Sequence, residues 1–134
     1  MGKKKPDLVA LGHAAPLPES PDAALLERVP NPHADTAYVA RFTAPEFTSL
    51  CPITGQPDFG EIRITYVPAD RCIELKALKY YMFSFRDRGI FYEAATNQIL
   101  DDLVAACQPR RMTVVGDFTV RGGIKTVVTA RYPA

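Results

Sequence analysis

The sequence predicts an α+β domain: a four-stranded antiparallel sheet with two helices on one face, in the order β-β-α-α-β-β. Three observations carry this expectation. Apolar and polar side chains alternate with a period of two on either side of the middle of the chain, and residues 74–107 switch to helical spacing. Gly122-Gly123 then joins the last two strands as a tight hairpin, supplying the positive φ values such a turn needs.

The first strand is read in "TAYVARFTA" (36–44), where Tyr38, Ala40 and Phe42 alternate with Val39 and Arg41. The second, "FGEIRITYVP" (59–68), sets Ile62, Ile64 and Tyr66 on one face and Glu61, Arg63 and Thr65 on the other, with Pro68 closing it. In "ELKALKYYMFSFR" (74–86), Leu75, Leu78, Met82 and Phe85 recur at helical spacing toward a core, and Gly89 marks the stop. A second helix fits "YEAATNQILDDLVAAC" (92–107), with Ala95, Ile99, Leu103 and Ala106 inward and Pro109 beyond its end. The strands "RRMTVVGDFTV" (110–120) and "IKTVVTARY" (124–132) complete the sheet. Its two open edges call for neighbouring subunits, so an oligomer is expected.

With 134 residues the chain forms one domain with a single core. Residues 36–134 are its folded body, and residues 1–35 a Pro-rich extended arm: six of the twelve prolines fall in the first 32 positions, which rules out a regular helix there. The formal net charge of +1 offers no global field to nucleic acid or a membrane surface. Apolar runs stay far short of the roughly 18 residues a bilayer span requires, and the N-terminal stretch reads neither as a signal peptide nor as a myristoylation site. Cys51, Cys72 and Cys107 are odd in number and form no CxxC pair, which fits a reducing cytoplasm. No metal is expected, since His13 and His33 stand at no ligand spacing with the cysteines.

Cys51 lies in "CPITGQPD", a loop shaped by two prolines and a glycine, with Asp58 seven residues on. It is either a buried small hydrophobe or a thiol presented beside an acid; Cys72 and Cys107 read as structural. Lys76, Lys79 and Arg86 lie among Tyr80, Tyr81, Phe83 and Phe85. That is either a solvated basic face or a site for a ligand with phosphates at one end and flat heterocycles at the other, such as a dinucleotide. No GxGxxG accompanies it, so a dinucleotide would not be held in the Rossmann manner. Glu93, at the start of the second helix, complements the helix dipole or accepts the two adjacent N–H groups of a guanine-like ring.

These pieces together resemble the 7-cyano-7-deazaguanine reductases, the nitrile reductases of the queuosine pathway (the QueF family). "ELKALKYY" (74–81) is similar to the family signature, "FTSLCPITGQPDFGE" (47–61) to its nucleophile loop, and "FSFRDRGIFYEAATNQILDDL" to its substrate-glutamate segment. The likeness runs from about Tyr38 to the C-terminus and resembles the single-module branch. It implies the tunnelling fold, assembled as a homo-oligomeric ring, commonly a decamer of two stacked pentamers with sites between subunits. It implies Cys51 as nucleophile, Asp58 as proton donor and Glu93 as the clamp on the purine-like edge, with Tyr92, Glu74 and Leu75 at the substrate. NADPH, two per turnover, is then bound around Lys76, Lys79, Tyr80 and Arg86. Many relatives carry histidine where this chain has Tyr92; a phenol donates a hydrogen bond but is a poor proton shuttle near neutral pH. The implied reaction takes the nitrile to the primary amine through a covalent cysteine thioimide, in a cytoplasmic route to tRNA modification. The alternatives are a non-catalytic purine- or pterin-binding oligomer and a GTP cyclohydrolase-like hydrolase; a zinc-dependent form of the latter needs ligands this chain does not supply.

Overall fold

A computed structural model describes residues 25–134. The element order is β1 (Arg28–Pro30), β2 (Ala40–Leu50), β3 (Pro57–Val67), β4 (Arg71–Ile73), α1 (Leu75–Phe83), α2 (Tyr92–Cys107), β5 (Arg111–Arg121) and β6 (Ile124–Tyr132). Four strands form an antiparallel sheet in the order β2-β3-β5-β6, and β1 and β4 form a separate antiparallel pair. The expected sheet with two helices between its second and third strands is therefore present.

Alternation decides which side of the sheet is buried. Ile62, Ile64 and Tyr66 of β3, with Met112, Val114 and Phe118 of β5, pack under the helices. Helix α2 lies over β5 and β6 and buries Ala95, Ile99, Leu103 and Cys107. Cys107 is structural in this sense: burial pushes its thiol up to about 11. Gln108 closes α2 in the left-handed region, the turn that Pro109 then forbids from continuing.

Two β-bulges reshape the strands. Between Ala44 and Phe47 one extra residue enters β2 at Pro45-Glu46, so the strand does not stop at residue 44. The bulge inverts the alternation, so Phe47 and Ser49 are buried, and the strand runs on to Leu50, next to Cys51. A second bulge lies in β5 between Phe118 and Arg121. Gly122 and Gly123 both have positive φ, as the β5–β6 hairpin requires.

Helix α1 differs from the expected stripe. Its buried face is Ala77, Leu78 and Tyr81, continued by Phe85, while Leu75 is 63% exposed. Tyr81 can turn inward because its hydroxyl donates to Asp102 of α2 at 2.5 Å. Residues 1–24 of the expected arm lie outside the described residues. The rest of that arm packs on its own chain: Leu26 joins the core and β1 pairs with β4. Among the described residues, no helix is long and apolar enough to cross a membrane.

Candidate active site

Strand pairing sets the site. Ser49 pairs with Asp58 and Leu50 with Pro57, so the β2–β3 turn places Cys51 diagonally across from Asp58. The Cys51 N–H donates to the Gln56 carbonyl at 2.8 Å, and its own carbonyl accepts from Gly55 N–H at 2.8 Å. Gly55, at φ +71°, makes this closure possible. Cys51 is partly exposed. The Thr54 hydroxyl, then the backbone N–H groups of Thr54 and Ile53, draw its thiol below the ordinary range, with Arg121 adding a smaller pull and burial opposing.

Leu50 is tied on its other side. Its N–H donates to Arg88 O at 2.9 Å and its carbonyl accepts from Ile90 N–H at 3.0 Å, forming a parallel bridge to Gly89. The turn carrying the thiol is thereby locked to the segment that leads into α2.

Asp58 is 7% exposed, on the helix side of β3. Arg121 of β5 forms an ion pair with it, and the Tyr92 hydroxyl donates to the same Oδ1 at 3.1 Å. Tyr92 is itself fixed, its ring stacked on Phe118 at 4.0 Å between centroids and 13° between planes. Burial, then the Asp58 carboxylate, pushes the Tyr92 phenol above its usual range, which keeps it a donor. Gln56, Asp58, Phe59, Tyr92 and Arg121 line a hollow of about 350 Å³.

Glu93 stands exposed in the first turn of α2, beside Tyr92. Glu74 is buried and caps α1, its two carboxylate oxygens accepting from Lys76 N–H at 2.8 Å and Ala77 N–H at 2.6 Å. Leu75 is exposed in the first turn after it.

A larger concavity, about 1060 Å³, lies against α1 and the bulged edge of β2. Phe42, Leu78, Met82 and Phe83 give it an apolar floor, and Lys79 and Arg86 stand among its cations. The Arg86 guanidinium sits 5.0 Å from the centre of the Phe83 ring. Lys76 and Tyr80, half-buried on the same helix, are not among its lining residues. Among the described residues no group of three or more His, Cys, Asp or Glu is placed to hold a metal ion.

Sequence reading missed Thr54, Gln56 and Arg121. Thr54 and Gln56 sit inside the quoted loop and were readable as hydroxyl and amide partners for a turn. Arg121 carried no signal, because only the bulge in β5 turns it toward Asp58.

A sequence profile of the family described as "QueF-like protein" matches residues 57–134. The chain is 61% identical over 107 residues to an "NADPH-dependent 7-cyano-7-deazaguanine reductase" of Anaeromyxobacter sp. (strain Fw109-5), a match covering 80% of this chain and 88% of that one. A protein of the same description from Magnetococcus marinus is 56% identical over 119 residues, covering 89% of this chain and 93% of that one. Among solved structures, the archaeosine synthase QueF-Like in the apo form matches with a TM-score of 0.67 at 24% identity, over 72% of this chain and 94% of that one. That last likeness concerns the fold, and it agrees with the architecture expected from the sequence.

Proposed function

The chain belongs to the QueF-like family, and we infer that it reduces the nitrile of 7-cyano-7-deazaguanine to the aminomethyl group with NADPH. The observation that carries the mechanism is a thiol with stabilised thiolate placed diagonally from a buried carboxylate.

A nitrile carbon is a weak hydride acceptor until a nucleophile has added to it. Cys51 sulfur forms a bond to that carbon, one C–N π bond breaks, and the nitrogen takes a proton through Asp58, giving a thioimide. The carboxylate can accept the thiol proton as sulfur attacks and pass it to nitrogen, so the addition needs no other proton source. Tyr92 and Arg121 hold that carboxylate. Between the two reductions Cys51 leaves as thiolate, which the Thr54 hydroxyl and loop N–H groups receive.

NADPH, when bound, supplies a hydride in each of two rounds, four electrons in all. The concavity beside α1 suits such a molecule: an apolar floor for a flat ring, with cations for phosphates. Lys79 and Arg86 would hold it, with Lys76 and Tyr80 on the adjoining helical surface.

Glu93, exposed at the helix start, would accept the paired N–H groups of the deazaguanine edge. Leu75 and the Glu74 turn would complete the substrate's surroundings. Among the described residues, both outer strands of the sheet, β2 and β6, have one unpaired edge, which supports a homo-oligomeric ring with sites between subunits, which we take to be two stacked pentamers. A cytoplasmic location belongs to the same reading, as does a role for the part of the arm before residue 25 in closing over the site to protect the imine from water. Removing residues 1–24 leaves Leu26 and β1 in place, so unchanged assembly and turnover in that variant would exclude the arm.

The deciding experiment mixes the protein with 7-cyano-7-deazaguanine and follows nicotinamide absorbance. Consumption of two NADPH per substrate, with a 1:1 thiol adduct that Cys51→Ala abolishes, is the expected result. Adduct formation that survives Cys51→Ala would refute the assignment.

A further inference from the structure

Plain alternation from buried Phe118 would turn Val120 toward the helices and Arg121 away from them. The extra residue in the β5 bulge reverses this: Val120 is 56% exposed, and Arg121 reaches the helix side of the sheet. There its guanidinium divides between two partners. Nη1 pairs with Asp58 Oδ1, and Nη2 donates to Gln56 Oε1 at 2.5 Å. Gln56 also accepts the Cys51 N–H through its backbone carbonyl. One planar group thus spans the acid's strand and the base of the cysteine turn.

We propose that Arg121 is a positioning residue for nitrile addition, its fork holding the Asp58 carboxylate and the Cys51 turn in one fixed relation. This rests on the reading of Cys51 and Asp58 given above. A lysine cannot substitute fully, because a single ammonium keeps the ion pair but loses the second prong. Asp58 is faced by Arg121 from β5 and Tyr92 from α2, and Cys51 by Thr54 of its own turn. Arg121 also reaches the Cys51 turn, through the Gln56 side chain.

The test uses the full chain with Arg121→Met, Arg121→Lys and Gln56→Ala. Three quantities are read: the rate of 1:1 adduct formation with 7-cyano-7-deazaguanine without NADPH, the rate of Cys51 alkylation by iodoacetamide, and substrate affinity in a Cys51→Ala background. Arg121→Met should slow adduct formation on the order of 100-fold, the effect of an ångström of misplacement, with affinity unchanged. Arg121→Lys and Gln56→Ala should alkylate like the parent yet add nitrile about tenfold more slowly. Parental addition rates in Arg121→Met, full rescue by lysine, or a loss carried wholly by affinity would each overturn the proposal. A parent that forms no adduct removes the nucleophile reading instead. Alkylation then decides alone: it must slow about threefold in Arg121→Met and recover in Arg121→Lys, and equal rates exclude the strut. Should Arg121→Met not fold, the other two variants carry the comparison.

Discussion

Gly116→Ala should weaken both the fold and the site, and the structure sets the size of the effect. A Cβ built on Gly116 would collide with Thr96 Oγ1 and stand 2.7 Å from a Phe118 ring carbon. Thr96 is fully buried, and its hydroxyl donates to the Tyr92 carbonyl at 2.9 Å. Phe118 is equally buried and carries the Tyr92 ring. Neither neighbour can give way without moving α2 or the stacked pair. Overpacking of this kind costs about 1–3 kcal/mol, and the stiffer unfolded chain returns about 0.4–1 kcal/mol. A net loss of about 1–2 kcal/mol corresponds to a fall in Tm of roughly 4–8 °C for a domain of this size. Thermal and urea unfolding at fixed protomer concentration measure it, and adduct formation should slow in the same variant because Tyr92 holds Asp58. Thr96→Ala in the same chain should recover about 1 kcal/mol, seen as non-additivity in a double-mutant cycle. A Gly116→Ala protein melting with the parent, or strict additivity with Thr96→Ala, would show that Thr96 and Phe118 leave room for the methyl group.

Other consequences follow from the same geometry. Thr54→Val removes the hydroxyl that does most to draw the Cys51 thiol down. The pH midpoint of its alkylation should therefore rise, with slower alkylation near neutral pH; an unmoved midpoint would mean the turn does not stabilise the thiolate. Glu74→Ala deprives α1 of its cap and should cost about 0.5–2 kcal/mol in unfolding. An unchanged melting curve with weakened substrate affinity would instead make Glu74 a substrate ligand. Lys79→Gln together with Arg86→Gln should raise the KM for NADPH roughly tenfold while leaving cofactor-free adduct formation alone. A slower adduct in that pair would place the concavity at the substrate.

The sheet was legible because β3 and β6 are regular and the Gly122-Gly123 turn announces itself. The strand expected over 36–44 runs on to Leu50, past Pro45. A bulge accommodates a residue without an N–H, and pairing resumes at Phe47. The short pair β1–β4 escaped notice because three-residue strands leave no period to detect. On α1 the inward place went to Tyr81, not Leu75, since Asp102 on another helix satisfies its hydroxyl, and helical spacing alone cannot show that. Cys51 and Asp58 were readable as a loop pair because their proximity follows from one turn. Arg121 was not, because its direction depends on a register shift.

The parallel bridge from Leu50 to Gly89 has a consequence for how such a chain can vary. Pro52 leaves little room there: a Cβ on Gly89 would stand 3.3 Å from the Pro52 Cα. The stretch from 84 to 91 is thus measured against the thiol's own turn, like a spacer cut to a single length. Gaining or losing one residue in it would drag the start of α2 out of step with Cys51, so tolerated insertions in this protein should be sought elsewhere.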